Sequence, residues 1–124
     1  MKLIMLPQRS DNTAQYRAAG PVLTVTIGEH TDTFDFTDAP DGEFDGFASD
    51  TLPVCPILRA EKSGGELTVW ALGWYGPRPE REMQHTPVTD DAGEVIDYHP
   101  EPEADYAERL AAWEALTQER EVTI

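Results

Sequence analysis

The sequence predicts an α+β fold, mainly β: a small antiparallel sheet or sandwich built from two hairpins, then a proline-rich connector and a C-terminal amphipathic helix. Three observations carry the prediction. Two runs alternate on a two-residue period on either side of Gly28, a Gly64-Gly65 pair separates two further runs, and the period becomes helical after Glu103.

Lys2 to Leu6 reads as a short strand closed by Pro7, followed by a polar turn through Asn12. Thr13 to Ala19 fits a strand or a single helical turn, and Gly20-Pro21 resets the chain. The first hairpin joins Val22-Leu-Thr-Val-Thr-Ile27 to Thr31-Asp-Thr-Phe-Asp-Phe36 through Gly28-Glu-His30. Leu23, Val25, Ile27, Phe34 and Phe36 share its core face, while Thr24, Thr26, Thr33 and Asp35 point to water. Pro40 and Gly42 supply turn chemistry, and Phe44 and Phe47 lie in a glycine-punctuated loop expected to fold back over the sheet. The second hairpin joins Ile57–Glu61 to Glu66–Leu72 across Lys62-Ser-Gly-Gly65. Leu67, Val69 and Ala71 face one way, with Trp70 and Leu72 opposite, which marks this strand as central and covered on both sides.

Composition changes at Pro77. Five prolines between Pro77 and Pro102 exclude a continuous helix or a central strand, leaving room for a small hairpin in which Val88-Thr89 and Val95-Ile96 flank Asp90–Gly93. From Glu103, Tyr106, Leu110, Trp113 and Leu116 recur at helical spacing; Pro102 suits a helix start, and Glu103, Asp105 and Glu108 suit its positive end. Glu121–Ile124 adds a last strand or frays. The expected organisation is thus a β module over 1–76, a connector over 77–102, and a helix with tail over 103–124. Such a short helix is marginal alone, so its aromatic stripe needs a surface, on its own sheet or on a neighbouring chain.

At 124 residues the chain has room for one ordinary domain. Nine Lys and Arg against 24 Asp and Glu give a formal charge of -15. The excess is general: four basic residues face nine acidic ones up to Ala60, and five face 15 thereafter. That field repels phosphate backbones and anionic lipid, so nucleic acid and membranes are poor partners, while solubility is its simplest role. Cys55 is the only cysteine, which excludes an internal disulfide. The apolar start, Met1–Leu6, is too short for a signal peptide, so a soluble product without an export signal is expected.

No arrangement of residues speaks for catalysis, and no cofactor or metal is expected. Asp32, Asp35, Asp38, Asp41, Glu43 and Asp45 are hard oxygen ligands, but their spacing fails that of a calcium loop; a solvated hairpin face with its turn is the default. His30, His85 and His99 lack metal-ligand spacing. Cys55 could meet a histidine only through the fold, and between Pro53-Val54 and Pro56 it reads as a small buried hydrophobe. Trp74 and Tyr75, between Gly73 and Gly76, form the most interesting loop, as a recognition patch or as a rim of the core.

Val22–Ile27, Thr33–Phe36 with Pro40-Asp-Gly42, and Gly64–Val69 leading to Gly76-Pro77 resemble a group of small tailed-bacteriophage and prophage proteins encoded beside tail-fibre genes. The resemblance covers residues 20 to 77 and consists of hairpin patterns, with no catalytic signature. The acidic connector with Tyr106–Trp113 is similar to C-terminal segments of tail-fibre assembly and accessory proteins. The resemblance implies a non-enzymatic role in the virion, or in the host cytoplasm during assembly. Its partners would be tail, fibre or capsid subunits, and a homo-oligomer is compatible with it. On this reading Trp74, Tyr75, Tyr106, Leu110 and Trp113 are the expected partner contacts. The alternative is an acidic inhibitor that mimics nucleic-acid phosphates and blocks a host nuclease or polymerase; a small hydrolase, which would need a cleft of hydrogen-bonded titratable groups, ranks third.

Overall fold

A computed structural model describes all residues, Met1 to Ile124. The fold is mainly β with one helix, as predicted. The chain divides into two compact units, one made of Met1–Gly76 with Leu116–Ile124, the other of Pro77–Ala115. The connector and the helix as far as Ala115 belong to a single unit, and the tail from Leu116 is grouped with the β module rather than with the helix.

In the first unit, β2 (Ala14–Ala19), β3 (Val22–Ile27) and β4 (His30–Asp35) form an antiparallel three-stranded sheet. Thr13–Ala19, open between strand and helical turn in the sequence, resolves to a strand because Ala14 to Ala19 pair along the whole of β3. The β3–β4 register sets Leu23 opposite Phe34 and Thr24 opposite Thr33. Leu23, Val25, Ile27, Phe34 and Phe36 are buried on the predicted face. Phe47 closes over them, packing edge-on against Phe34 and Phe36 at ring separations of 6.1 and 5.8 Å.

The larger sheet uses β1 (Lys2–Arg9), β5 (Gly42–Phe44), β6 (Ile57–Ser63), β7 (Glu66–Tyr75) and the C-terminal strand β10 (Arg120–Thr123), in the order β10-β1-β7-β6-β5. Its β6–β7 hairpin turns at Gly64 and Gly65, with φ of 57° and 86°, a left-handed pair that side chains resist. β7 is the central strand, as expected, and Arg59 lies 3.8 Å over the Trp70 ring on its outer face.

One feature departs from the expected all-antiparallel pairing: β1 runs parallel to β7, from Lys2 opposite Thr68 to Arg9 opposite Tyr75. A parallel pair cannot close through a tight turn, and here the chain builds the whole smaller sheet before returning. β1 also continues through Pro7, where a stop was expected. β10 pairs with β1 only as far as Met5, so beyond it one side of β1 is a sheet edge, where a proline is tolerated. Opposite Pro7 stands Gly73; a Cβ there would lie 3.2 Å from that of Met5.

The two sheets share one core, in which Leu3, Leu23, Val25 and Val69 are almost wholly excluded from solvent. Cys55 is half-buried against that core, as a small hydrophobe. Burial raises the Tyr16 phenol pKa well above its ordinary value, with a smaller contribution from Cys55, and its hydroxyl donates to the Leu72 carbonyl at 2.7 Å.

In the second unit, β8 (Thr86–Thr89) and β9 (Val95–His99) form the small hairpin the connector allowed, and α1 spans Glu103–Leu116, its last residue belonging to the first unit. The Tyr106 N–H donates to the Pro102 carbonyl, so Pro102 caps the helix from the position just before its first residue, Glu103, one place earlier than the sequence suggested.

Candidate protein-contact surface

The second unit is assembled from its backbone upward. At the hairpin tip, the Asp90 side chain accepts from the N–H groups of Ala92 and Glu94, both at 2.9 Å, and Gly93 turns the chain at a φ of 83°. At the base, Glu82 and Glu101 face each other. The Glu101 N–H donates to the Glu82 carbonyl at 2.6 Å, and the Glu82 N–H donates to Glu101 Oε1 at 3.2 Å.

Glu101 is the only buried charged residue, at 4% exposure, and Arg109 of α1 answers it. Nε donates to Oε2 and Nη2 to Oε1, both at 2.7 Å, the forked geometry in which guanidinium and carboxylate fit best. The hydrogen bonds from Arg109 outweigh burial and hold the Glu101 carboxyl down at about 2, against an ordinary 4.5, with the Glu82 N–H assisting. Arg109 also donates to the Glu80 carbonyl, Arg81 to the Glu101 carbonyl, and the Tyr106 hydroxyl to the Pro79 carbonyl. Helix and connector are thus joined by polar bonds at the foot of the hairpin.

Above that foot the hairpin is bare. Every residue of β9 is exposed, including Val95 at 50%, Ile96 at 65% and Tyr98 at 40%, and nearby in sequence Met83 is at 62%. Tyr98 pairs across the hairpin with Pro87, and Ile96 is the extra residue on β9 where the register shifts between the Val88–Asp97 and Thr89–Val95 pairs. These apolar side chains are held in water on a hairpin anchored at its foot.

The residues expected to make partner contacts are divided between the units. Trp74 and Tyr75 end β7, both half-buried; Trp74 packs against the core and its indole N–H donates to Gln8 Oε1 at 2.6 Å. Tyr106, Leu110 and Trp113 share one half-buried face of α1. None of the five is among the strongly exposed apolar residues. The β9 residues that are exposed escaped the sequence reading, although the hairpin itself was visible. Their only local signal is an apolar pair, Ile96 and Tyr98, in a segment with few other apolar residues to cover it.

Other polar clusters have internal partners. Asp32 accepts from Ser49 Oγ and from the Thr33 N–H, and the Thr37 hydroxyl and N–H lower the Asp35 pKa. A cavity of about 500 Å³ in the first unit is lined by Lys2, Pro21, Phe36, Lys62 and Leu67 among others. Lys62 donates to the Ala39 carbonyl, and Lys2 lies 3.4 Å from Glu121. No helix is long and apolar enough to cross a membrane. Comparison with protein-family models, curated proteins and solved structures finds no match.

Proposed function

We propose that this chain is a non-enzymatic, virion-associated bacteriophage protein, an accessory or structural subunit of tail, tail fibre or capsid that acts through protein–protein contacts. The observation that carries the contact role is the β8–β9 hairpin, anchored at its foot by Glu101 and Arg109 and presenting Ile96, Tyr98 and Val95 to solvent. A monomer gains nothing from keeping such residues in water, whereas a docking partner gains their burial, about 25 cal/mol for each Å² covered. The setting is supported by the resemblance of residues 20 to 77 to small phage proteins encoded beside tail-fibre genes.

Mass spectrometry of purified virions and of assembly intermediates from a phage encoding the chain tests this. The polypeptide is expected in one or both at a fixed ratio to a tail or capsid subunit. Its absence from both overturns the reading.

A further inference from the structure

We propose that the cavity of about 500 Å³ at one end of the first unit binds a small organic acid, its apolar body lying between the two sheets and its carboxylate on Lys62. The inference is independent of the contact role above.

The cavity opens where turns of both sheets come together. Gly20-Pro21 joins β2 to β3, Gly65 lies in the β6–β7 turn, and all three residues border it. Its volume falls within the range of small-molecule pockets, about 300–1,000 Å³. Phe36, at 5% exposure, and Leu67, half-buried against the core, give it apolar walls. Main-chain bonds hold the Phe36 wall in place: its N–H donates to the Pro21 carbonyl at 3.0 Å, and the Ala39 N–H donates to the Phe36 carbonyl at 3.1 Å.

Register decides which charge faces those walls. Lys62 stands directly opposite Leu67 in the β6–β7 pair, so it shares the core face with Leu67, Val69 and Ala71. Lys2, Glu66 and Thr68 also border the cavity, but alternation places them on the other face of the sheet, where Lys2 has Glu121 at 3.4 Å. Lys62 is half-buried and takes part in no ion pair, although the chain carries 24 Asp and Glu. A cation partly withdrawn from water gains from a counter-charge, and a bound carboxylate supplies one. Its place is already set. Nζ donates to the Ala39 carbonyl at 2.9 Å, just beyond Phe36 in the chain, which leaves two of its three donors for a ligand.

The same features select the ligand. One held cation beside apolar walls complements a single carboxylate attached to an apolar group, the pairing by which small-molecule sites fix orientation. The formal charge of -15 opposes phosphates and other multiply charged anions.

The test titrates the isotope-labelled full chain with phenylpropionate, read by amide NMR shifts. Saturable shifts centred on Phe36, Lys62 and Leu67 are expected. Phenylpropionamide, which lacks the charge, and acetate, which lacks the apolar body, should each bind at least about tenfold more weakly. Lys62→Met keeps the side-chain stem without its charge and should weaken the acid at least about tenfold while leaving the amide within about twofold. Lys62→Arg restores a cation and should recover most of the lost affinity. Equal binding of acid and amide, shifts absent or centred away from the cavity, or full affinity for the acid in Lys62→Met overturns the proposal; should Lys62→Met lose amide dispersion, the comparison of acid with amide decides alone. A tetrapeptide ending in phenylalanine with a free carboxylate should bind no more tightly than phenylpropionate. Binding at least about tenfold tighter would make a protein C-terminus the occupant and overturn the assignment to a small acid.

Discussion

The two units hold their chains in opposite ways. All twelve buried hydrophobic residues lie in the first unit, where two sheets close over a common apolar core. In the second, the one buried residue is a glutamate, and a bidentate arginine with a few backbone carbonyls keeps helix and connector together. Hydrophobic burial is non-directional and indifferent to salt screening, so the first unit resists changes of pH and tolerates small shifts in shape. The polar cluster depends on a few donors and acceptors meeting at good geometry, and removing one strands the rest. A unit held this way depends on the geometry of a few polar bonds, and its β9 side chains stay exposed.

The contrast is sharpest if each centre is attacked in turn. Leu23→Ala, at a fully buried position, should cost about 2–5 kcal/mol through lost transfer energy and the cavity left behind. Urea unfolding should show it as a lower midpoint with little change in slope. Should Leu23→Ala prove nearly silent, the shared core of the two sheets would be wrong.

Arg109→Ala should leave the first unit intact and unfasten the second, because Glu101 then keeps its burial without its partner. Hydrogen exchange is the suitable measurement: protection in α1 and at the hairpin base should fall at least about tenfold, with β3 and β7 unchanged. Replacing Glu101 and Arg109 together by leucine should be milder than Arg109→Ala alone, since no charge is left unanswered.

Acid should separate the units without mutation. The folded Glu101 carboxyl, at about 2, lies below its ordinary 4.5, so its contribution is complete above the ordinary value and disappears as pH falls through about 2. Helical circular dichroism is expected to fade in that window while the near-ultraviolet signal of the sandwich aromatics persists. Simultaneous loss of both signals would show the units to be coupled rather than separately held.

Smaller effects belong to local geometry. Gly64→Ala places a side chain at a φ of 57° and should cost about 1–2 kcal/mol, seen as a lower melting temperature. Trp74→Phe keeps most of the packing but loses the indole bond to Gln8, a change of about 0.5–1.5 kcal/mol in the same assay.

The first unit was the more legible of the two in sequence because its signals are local. Alternation along Val22–Phe36 places each side chain on a face whatever the rest of the chain does, and Gly64-Gly65 specifies a turn within two residues. Helical spacing from Tyr106 to Trp113 is equally local, and it revealed α1. The Glu101–Arg109 pair was not legible: Glu101 lies in a connector rich in glutamate and proline, with nothing to distinguish it from Glu80, Glu82 or Glu94. Its burial arises only when the helix brings Arg109 back across the chain. Trp74 illustrates the converse: its flanking glycines left a recognition patch and a core rim both open, and the parallel approach of β1 supplies Gln8, to which its indole donates at the edge of the core.

Sequence alone determined which residues alternate, where the chain must turn, where it becomes helical, and how acidic the molecule is, because each depends on near neighbours or simple addition. Tertiary structure decided that β1 runs parallel to β7, that β10 completes that sheet, that one glutamate out of many is buried, and that Ile96 and Tyr98 are left uncovered. Those outcomes depend on which distant segments meet, and the free energy of such meetings is a property of the whole packed chain rather than of any window along it.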